Sequence, residues 1–313
     1  MKAMEKWQAF RNSPRYEDKK GAVVKKTKNT LMLLMQIILI VGISYVILSP
    51  VIGIVSHSFF SDSDSADQMV LTIPKNPTME RYEGAYGELD YLVTIAGTLG
   101  YTLINTVLQV FICSMVGYGF ARFNFPLKKL LFACVVVMIV IPSNTILVPL
   151  YMTFRSMNLM TNPVSMFLLS GLGTGLRSGL FIYIFVQFFR GLPKEIEEAA
   201  FVDGAGTAYT YFRIMLINAM PAVITVTVFS VVWQYNDMFY AQLLRIPDDF
   251  AIAKRLSTLG ANIGANVEGA TNPRIQKLYV NAGVVLTILP VLVIYLLLQR
   301  RFVEGVERSG IVG

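Results

Sequence analysis

The sequence predicts an all-α, polytopic membrane protein with six transmembrane helices. Of its 313 residues, 54% are apolar and only 15% are charged. Six apolar stretches are close to or above the roughly 20 residues that a helix needs to cross a hydrocarbon core. Apolar and polar residues do not alternate in these stretches, which argues against a membrane β-barrel. The stretches lie within 31–55, 92–121, 130–154, 166–189, 214–235 and 278–299.

The distribution of charge predicts how these helices are oriented. Nine Lys and Arg residues but only three acids precede Thr30, whereas 61–90 carries seven acids and two bases. Because basic residues concentrate in cytoplasmic segments, both termini and the connection after the second stretch, with Arg122, Lys128 and Lys129, are expected to be cytoplasmic. Counting six crossings then places the connection after the fourth stretch on the same side. The external connection 245–277, with five bases and three acids, runs against this rule, but its length makes it weak evidence.

Three regions follow from these patterns: a basic cytoplasmic arm at 1–30, a transmembrane domain at 31–303 and a cytoplasmic tail at 304–313. The arm is polar enough to be partly disordered. The first apolar stretch is too long for a cleavable signal peptide. Cys113 and Cys134 lie inside apolar stretches, so we interpret them as packing residues and expect no disulfide.

A polar loop at 191–218 separates the fourth and fifth stretches. Pro193 suits the start of a short helix, whose first turn places glutamates at the positive end of the helix dipole. These glutamates are Glu195, Glu197 and Glu198. Asp203 and Gly204 predict the end of this helix, and Thr207 is expected to cap a second one. Periodicity alone leaves two interpretations open: a docking element for a cytoplasmic partner, or an amphipathic connection lying flat on the membrane.

A short pattern in this loop is more specific than its periodicity. It consists of Glu198-Ala199-Ala200, then Asp203-Gly204, and after nine further residues Ile214-Met215-Leu216. The pattern resembles the EAA loop in the membrane subunits of ATP-binding-cassette importers. The resemblance implies a helix that sits in a cleft of a cytoplasmic ATPase and transmits its closure. It implies that Glu198 makes a polar contact with the ATPase, that Ala199 and Ala200 allow close approach, and that Gly204 sets the bend.

The chain departs from the family pattern at one position of the loop. Relatives usually have Pro directly after the Ile-x-Leu, where this chain has Ile217. We therefore expect the exit from the loop to be more helical than usual, with Pro221 taking the break.

Further segments match the same family in the same order. They are 77–82, Asn105-Thr106, 118–126, Ile141-Pro142, 148–151, 188–193 and 301–305. Together they resemble the carbohydrate-uptake class of type I importers, and the last segment resembles the maltose-transporter-type second permease. The long basic arm is similar to the branch that imports complex or acidic oligosaccharides.

The resemblance implies half of a translocation pathway for a sugar or oligosaccharide, in a bacterial or archaeal cell membrane. The implied partners are a homologous second permease, two cytoplasmic ATPases and an external solute-binding protein. ATP and Mg²⁺ would be bound by the ATPases, so no cofactor, metal or catalytic site is expected in this chain. Its single histidine, His57, and its lack of a Gly-rich phosphate loop agree with this expectation. The alternative, an ion-gradient secondary transporter, would need inverted repeats and intramembrane carboxylates, and the apolar stretches show neither.

Polar residues inside the apolar stretches are candidates for the translocation pathway, because burying them in a membrane is costly. Arg177 lies deep in the fourth stretch and suits a carboxylate or sulfate ligand, unless it snorkels outward or pairs with an acid of a partner. The end of the fifth stretch suits sugar stacking and hydroxyl binding, or alternatively an interfacial aromatic belt. Its residues are Tyr235, Asn236, Asp237 and Phe239. Asn105 is a weaker candidate that could instead bond a neighbouring helix.

Overall fold

The fold is helical throughout the part of the chain that the computed structural model describes, residues 14–141 and 143–310, with side chains at 25–141 and 145–296. The α-helices are α1 (Pro14–His57), α2 (Asp62–Ala66), α3 (Glu80–Glu88), α4 (Tyr91–Arg122), α5 (Lys128–Val140), α6 (Leu147–Ser156), α7 (Val164–Gly171), α8 (Ser178–Gly191), α9 (Glu195–Val202), α10 (Thr207–Thr210), α11 (Leu216–Asn218), α12 (Met220–Tyr235), α13 (Phe239–Leu243), α14 (Ile252–Asn266) and α15 (Pro273–Gly310). Single 3₁₀ turns lie at Ser143–Ile146 and Asp248–Phe250, and a π-helical turn lies at Tyr211–Met215.

The chain forms two units that meet between Ser56 and His57. Within the first unit, α1 begins at Pro14, so 14–30 of the predicted arm is helical. Lys and Glu are good helix formers, which explains the extension. Residues 1–13 lie outside the described residues. At the other end, α15 continues through Gly310 of the predicted tail.

Three of the described helices are long and apolar enough to cross a membrane. They are Lys25–His57, Tyr91–Arg122 and Pro273–Leu296. A fourth span results if Thr207–Asn218 and Met220–Tyr235, which meet at 77°, are counted together. The remaining two predicted stretches are not single helices, so the count of six crossings stays a prediction.

The third and fourth predicted stretches are each broken. In the third, α5 ends at Val140, and Ile141 is extended because a residue that precedes proline disfavours the helical region. In the fourth, α7 and α8 are separated by a turn in which Gly173 has φ +72° and Arg177 has φ +58°. The prediction of one continuous helix over 166–189 is therefore wrong, since left-handed residues end a helix.

The helices α4 and α8 of the second unit pack closely against each other. A Cβ atom on Gly117 would lie 2.4 Å from the Cβ atom of Phe185, so only glycine allows this approach. Cys113, Phe181 and Phe189 complete the fully buried centre of the surrounding apolar cluster. The two helices therefore form a rigid pair from which the neighbouring loops start.

A buried amide joins this pair to α12. The Nε2 atom of Gln109 donates to the Leu176 carbonyl and to Ser178 Oγ at 2.9 Å. Its Oε1 atom accepts from Ser230 Oγ at 2.8 Å and from Gln234 Nε2 at 3.2 Å. Both donors and both acceptor positions of the amide are thus used. Because Leu176 lies just before α8, the amide also satisfies a carbonyl that the broken helix leaves without a helical partner.

We expect Gly117→Val to destabilise the protein by about 1–3 kcal/mol, because the added side chain overpacks the contact between α4 and α8. Gly119→Val is the matched control: it lies on the same helix and carries the same helix-propensity cost, but its Cβ atom meets nothing within 4 Å. The measurement is the thermal unfolding midpoint of the detergent-purified protein. Equal midpoints for the two variants would contradict the packing analysis.

Candidate functional site

The polar loop at 191–218 folds as a helix, a tight turn and a second helix. The first helix, α9, begins directly after Lys194, so Pro193 lies just outside it rather than in its first turn. It ends at a left-handed Gly204 with φ +82°, whose N–H donates to the Phe201 carbonyl at 3.0 Å. The second helix is capped by Gly206, whereas the sequence analysis assigned this position to Thr207.

A buried ion pair fixes this loop to the end of α4. The Nε atom of Arg122 lies 2.8 Å from Glu197 Oε2, and the two side chains are 8% and 10% exposed. The Tyr118 hydroxyl donates to Glu197 Oε1. Arg122 Nη2 also donates to the Leu192 carbonyl at 2.8 Å, so one guanidinium holds both the start of the loop and its first helix. We refer to Tyr118, Arg122 and Glu197 as the loop anchor.

The loop anchor was not predicted from the sequence. The sequence pattern places Glu197 only in the first turn of the loop's first helix, and the family resemblance implies the polar contact for Glu198. A signal was available, since Arg122 is the only charged residue of α4 and a loop rich in glutamate lies on the same predicted side of the membrane. Buried charges need partners, so this pairing was a reasonable expectation.

The face of α9 opposite the loop anchor, called here the outer face of α9, is exposed and partly apolar. Glu198, Ala199 and Asp203 are exposed there, as the docking interpretation requires, although no contact with a partner is tested. Val202 is 87% exposed and Phe201 is 45% exposed, which adds an apolar tip that the sequence analysis did not name. Ala200 is only 4% exposed, so its small side chain packs within this chain, and its part in close approach to an ATPase stays a prediction.

The second half of the loop is also held against α4. The Tyr211 hydroxyl and Ser114 Oγ form a hydrogen bond of 2.7 Å, and the ring of Phe212 stacks on Phe111 with centroids 6.2 Å apart. As expected from Ile217, the exit is helical through Asn218. The break follows at Ala219, with Pro221 in the first turn of α12.

Arg177 faces a cavity of about 150 Å³ beside the break between α7 and α8. The cavity lies between this break and the start of α6, and its lining includes Thr174, Ser178, Ile146 and Tyr240. The Arg177 guanidinium lies 5.6 Å from the ring centroid of Trp233, within the range of a cation–π contact. Among the described residues it forms no ion pair, so its charge is open to an anionic ligand.

The other predicted pathway residues do not gather around this cavity. Tyr235 is 2% exposed and its hydroxyl donates to the Thr287 carbonyl at 2.7 Å, so it contributes to the packing of α12 on α15. Asp237 caps α13 by accepting from the backbone N–H groups of Tyr240 and Ala241. Both side chains thus have local structural roles, and their contact with a substrate stays a prediction.

Three further residues were predicted to line the pathway: Asn105, Asn236 and Phe239. Asn105 is fully buried, donates to the Tyr101 carbonyl and accepts from Ser170 Oγ at 2.8 Å. The bond from Ser170 joins α4 to α7, which is the alternative role that the sequence left open for Asn105. Asn236 is exposed and donates to the Val232 carbonyl within its own helix. Phe239 is 40% exposed and its ring meets that of Tyr240 edge-on with centroids 6.0 Å apart, so its role in the pathway stays a prediction.

A helical bundle with broken helices beside a basic cavity, and a polar loop anchored to its longest buried helix, is typical of a membrane transport component. Comparison with known families agrees. Residues 110–308 match the family described as binding-protein-dependent transport system inner membrane component, and the chain belongs to this family. It is therefore a multi-pass membrane component of an ATP-binding-cassette importer rather than an ion-gradient transporter.

Individual relatives resemble most of the chain. A trehalose transport system permease protein of Mycobacterium tuberculosis is 28% identical over 273 residues, which cover 85% of this chain and 93% of the relative. A maltodextrin transport system permease protein of Streptococcus pneumoniae is 25% identical over 287 residues, covering 91% and 97%. The fold matches a chain in the crystal structure of a bacterial ABC transporter involved in the import of the acidic polysaccharide alginate, with a TM-score of 0.75 at 20% identity over 88% of this chain and 98% of that chain.

We expect Glu197→Gln to lower the stability of the second unit by about 3–5 kcal/mol, because it leaves the buried Arg122 guanidinium without its counter-charge. Glu198→Gln, one residue further on the exposed face, should change stability by no more than about 0.5 kcal/mol. Thermal unfolding of the two purified variants gives the comparison. A Glu198→Gln variant that unfolds as early as Glu197→Gln would show that the anchor is assigned to the wrong glutamate.

Proposed function

We propose that this chain is one permease half of an importer for a sugar or oligosaccharide, driven by cytoplasmic ATPases that contact the outer face of α9. The observation that carries the proposal is the combination of an exposed, partly apolar α9 face with an anchor that fixes α9 to α4. The names of the trehalose and maltodextrin relatives support a carbohydrate substrate. The free Arg177 charge in the cavity favours a substrate that carries an acidic group.

The proposal includes partners that this chain needs in order to work. A homologous second permease would complete the pathway, an external binding protein would deliver the substrate, and two ATPases would bind ATP and Mg²⁺ and hydrolyse the nucleotide. Both termini and the loop at 191–218 would lie on the cytoplasmic side, as the positive charge near the N-terminus indicates. The tail at 304–313 would lie on that side too.

In this proposal, ATPase closure reaches the cavity through contacts within the chain. A push on the outer face of α9 would be transferred through Glu197 and Arg122 to the end of α4. The close contact at Gly117 would make α4 and α8 move as a pair. Gln109 in α4 then connects this movement to the start of α8 and to α12, beside the residues that line the Arg177 cavity. The cavity would thus open to the outside or inside as α9 is displaced.

The first experiment is purification of the tagged chain in mild detergent, identification of co-purifying proteins by mass spectrometry, and uptake assays after reconstitution with the binding protein. The proposal expects a second permease and an ATPase in the complex. It also expects carbohydrate uptake that requires ATP on the side of the vesicle membrane where the ATPases lie. A chain that purifies alone and moves carbohydrate without ATP would overturn it.

We expect Gly204→Val to reduce transport at least tenfold while the complex remains assembled enough to purify. A β-branched residue is strained at φ +82°, so the turn between α9 and α10 would rearrange and misplace the docking face. Gly206→Val is the matched control, because Gly206 is equally exposed but has an ordinary φ of −74°. The measurement is ATP-dependent uptake in proteoliposomes at equal protein content. Full transport by the Gly204→Val variant would argue against the turn as a coupling element.

A further inference from the structure

A second, larger basic cavity lies apart from the Arg177 cavity. It has a volume of about 450 Å³, within the range of small-ligand sites. Its six lining residues are Tyr151, Arg155, Asn158, Met160, Thr161 and Arg245. Five of these carry hydrogen-bonding groups and two carry a positive charge, whereas none is acidic. This composition is that of a site for an anionic, hydroxyl-rich ligand.

Neither arginine of this cavity is neutralised within the described residues. Arg155 and Arg245 are exposed and form no ion pair there, whereas Lys254 in the nearby connection pairs with Asp248 at 2.7 Å. Arginine binds carboxylate and sulfate groups through two parallel hydrogen bonds, and these charge-assisted bonds are stronger than neutral ones. The two guanidinium groups therefore provide the strongest available contacts for an acidic group.

The cavity wall is held in place by the core. Arg155 follows Phe154, which is 5% exposed, and Arg245 follows the fully buried Leu244. The Thr161 N–H donates to the Leu244 carbonyl at 2.9 Å and joins the two sides of the wall. Both arginines thus extend from a fixed backbone, so less ordering is needed when a ligand binds.

The backbone around the cavity is left-handed at three positions. Asn158 and Arg245, both with φ of 54°, directly follow the C-caps of α6 and α13, where a left-handed residue commonly ends a helix. Thr161 has φ of 63°, a conformation that is uncommon for a β-branched residue. The two arginines thus lie beside turns with a defined backbone conformation.

The two basic cavities share structural elements. Ile146 precedes α6 and lines the Arg177 cavity, whereas Tyr151 within α6 lines the larger one. Tyr240 in α13 likewise lines the first cavity, and Arg245 follows α13 at the second. The five-residue separation corresponds to roughly 7 Å along a helix, so the cavities are neighbours.

We propose that the cavity of Arg155 and Arg245 is an entry site that receives a carboxylate or sulfate group of an acidic oligosaccharide and passes it to Arg177. This inference rests on the proposed function and specifies its substrate class. The third predicted span ends at 154 and the connection 245–277 is predicted to be external, so the entry site lies at the outer end of the pathway. An anionic substrate would then move from a site with two arginines to one with a single arginine.

The test uses the complete importer in proteoliposomes with its binding protein and ATP. The probes are oligogalacturonate, oligomannuronate and a sulfated oligogalactose, each compared with neutral oligogalactose and oligomannose of the same length. We expect the variant Arg155→Gln/Arg245→Gln to raise KM for an anionic probe about tenfold or more, since two charge-assisted contacts are removed. The maximal rate and the uptake of neutral probes should change less than twofold, and the double Lys variant should recover part of the affinity.

The control variant is Arg274→Gln/Lys277→Gln, which removes two exposed positive charges from the same external connection but none from the cavity. An equal rise in KM for this control variant would show that the effect comes from general surface charge, and this would overturn the inference. Wild-type uptake of neutral probes only would also overturn it while leaving the proposed function intact. Loss of affinity for the binding protein in the cavity variant would instead assign the arginines to docking, whereas absence of any ATP-dependent carbohydrate uptake by the wild type would overturn the proposed function itself.

Discussion

The buried ion pair of Arg122 and Glu197 is the constraint on which the cytoplasmic side of the second unit depends. Removing two charges from water costs several kcal/mol per ion, and their attraction offsets this cost only while the geometry is kept. Tyr118 and the Leu192 carbonyl supply the additional hydrogen bonds that such a pair requires. The loop is consequently not free to drift from α4. Any force on α9 either moves the end of α4 or must separate the pair at a large energetic cost.

The same requirement for satisfied polar groups explains how the bundle tolerates broken helices. A break between α7 and α8 frees backbone carbonyls that hydrocarbon cannot solvate. Gln109 reaches one of them, at Leu176, and uses its remaining hydrogen-bonding capacity on Ser178 and α12. The buried amide of Gln109 thus offsets part of the cost of the break, and it also links α4 to α8 and α12. The cavity beside Arg177 exists because this segment is not a continuous helix.

The sequence predicted the helical class, the family and the location of the polar loop, because apolar length and a spaced motif are local properties of the chain. It did not predict which glutamate is buried, since Glu197 and Glu198 differ only in which side of a short helix faces α4. It also treated 166–189 as one helix, because its apolar composition hides the left-handed turn at Gly173 and Arg177. The packing role of Tyr235 was not predicted for a related reason: its hydroxyl donates to the carbonyl of Thr287, 52 residues later, which no local pattern reveals.

The positions of the arginines connect these observations. An arginine in the middle of a regular membrane helix is costly, and its guanidinium tends to snorkel toward the interface. Arg177 and Arg245 instead occupy left-handed positions next to a helix end, where the chain turns and a cavity forms beside it. Arg177 also directly precedes the first turn of α8, whose free N–H groups carry partial positive charge. A cation placed there gains nothing from the helix dipole, which agrees with the proposal that this cavity receives a negatively charged group.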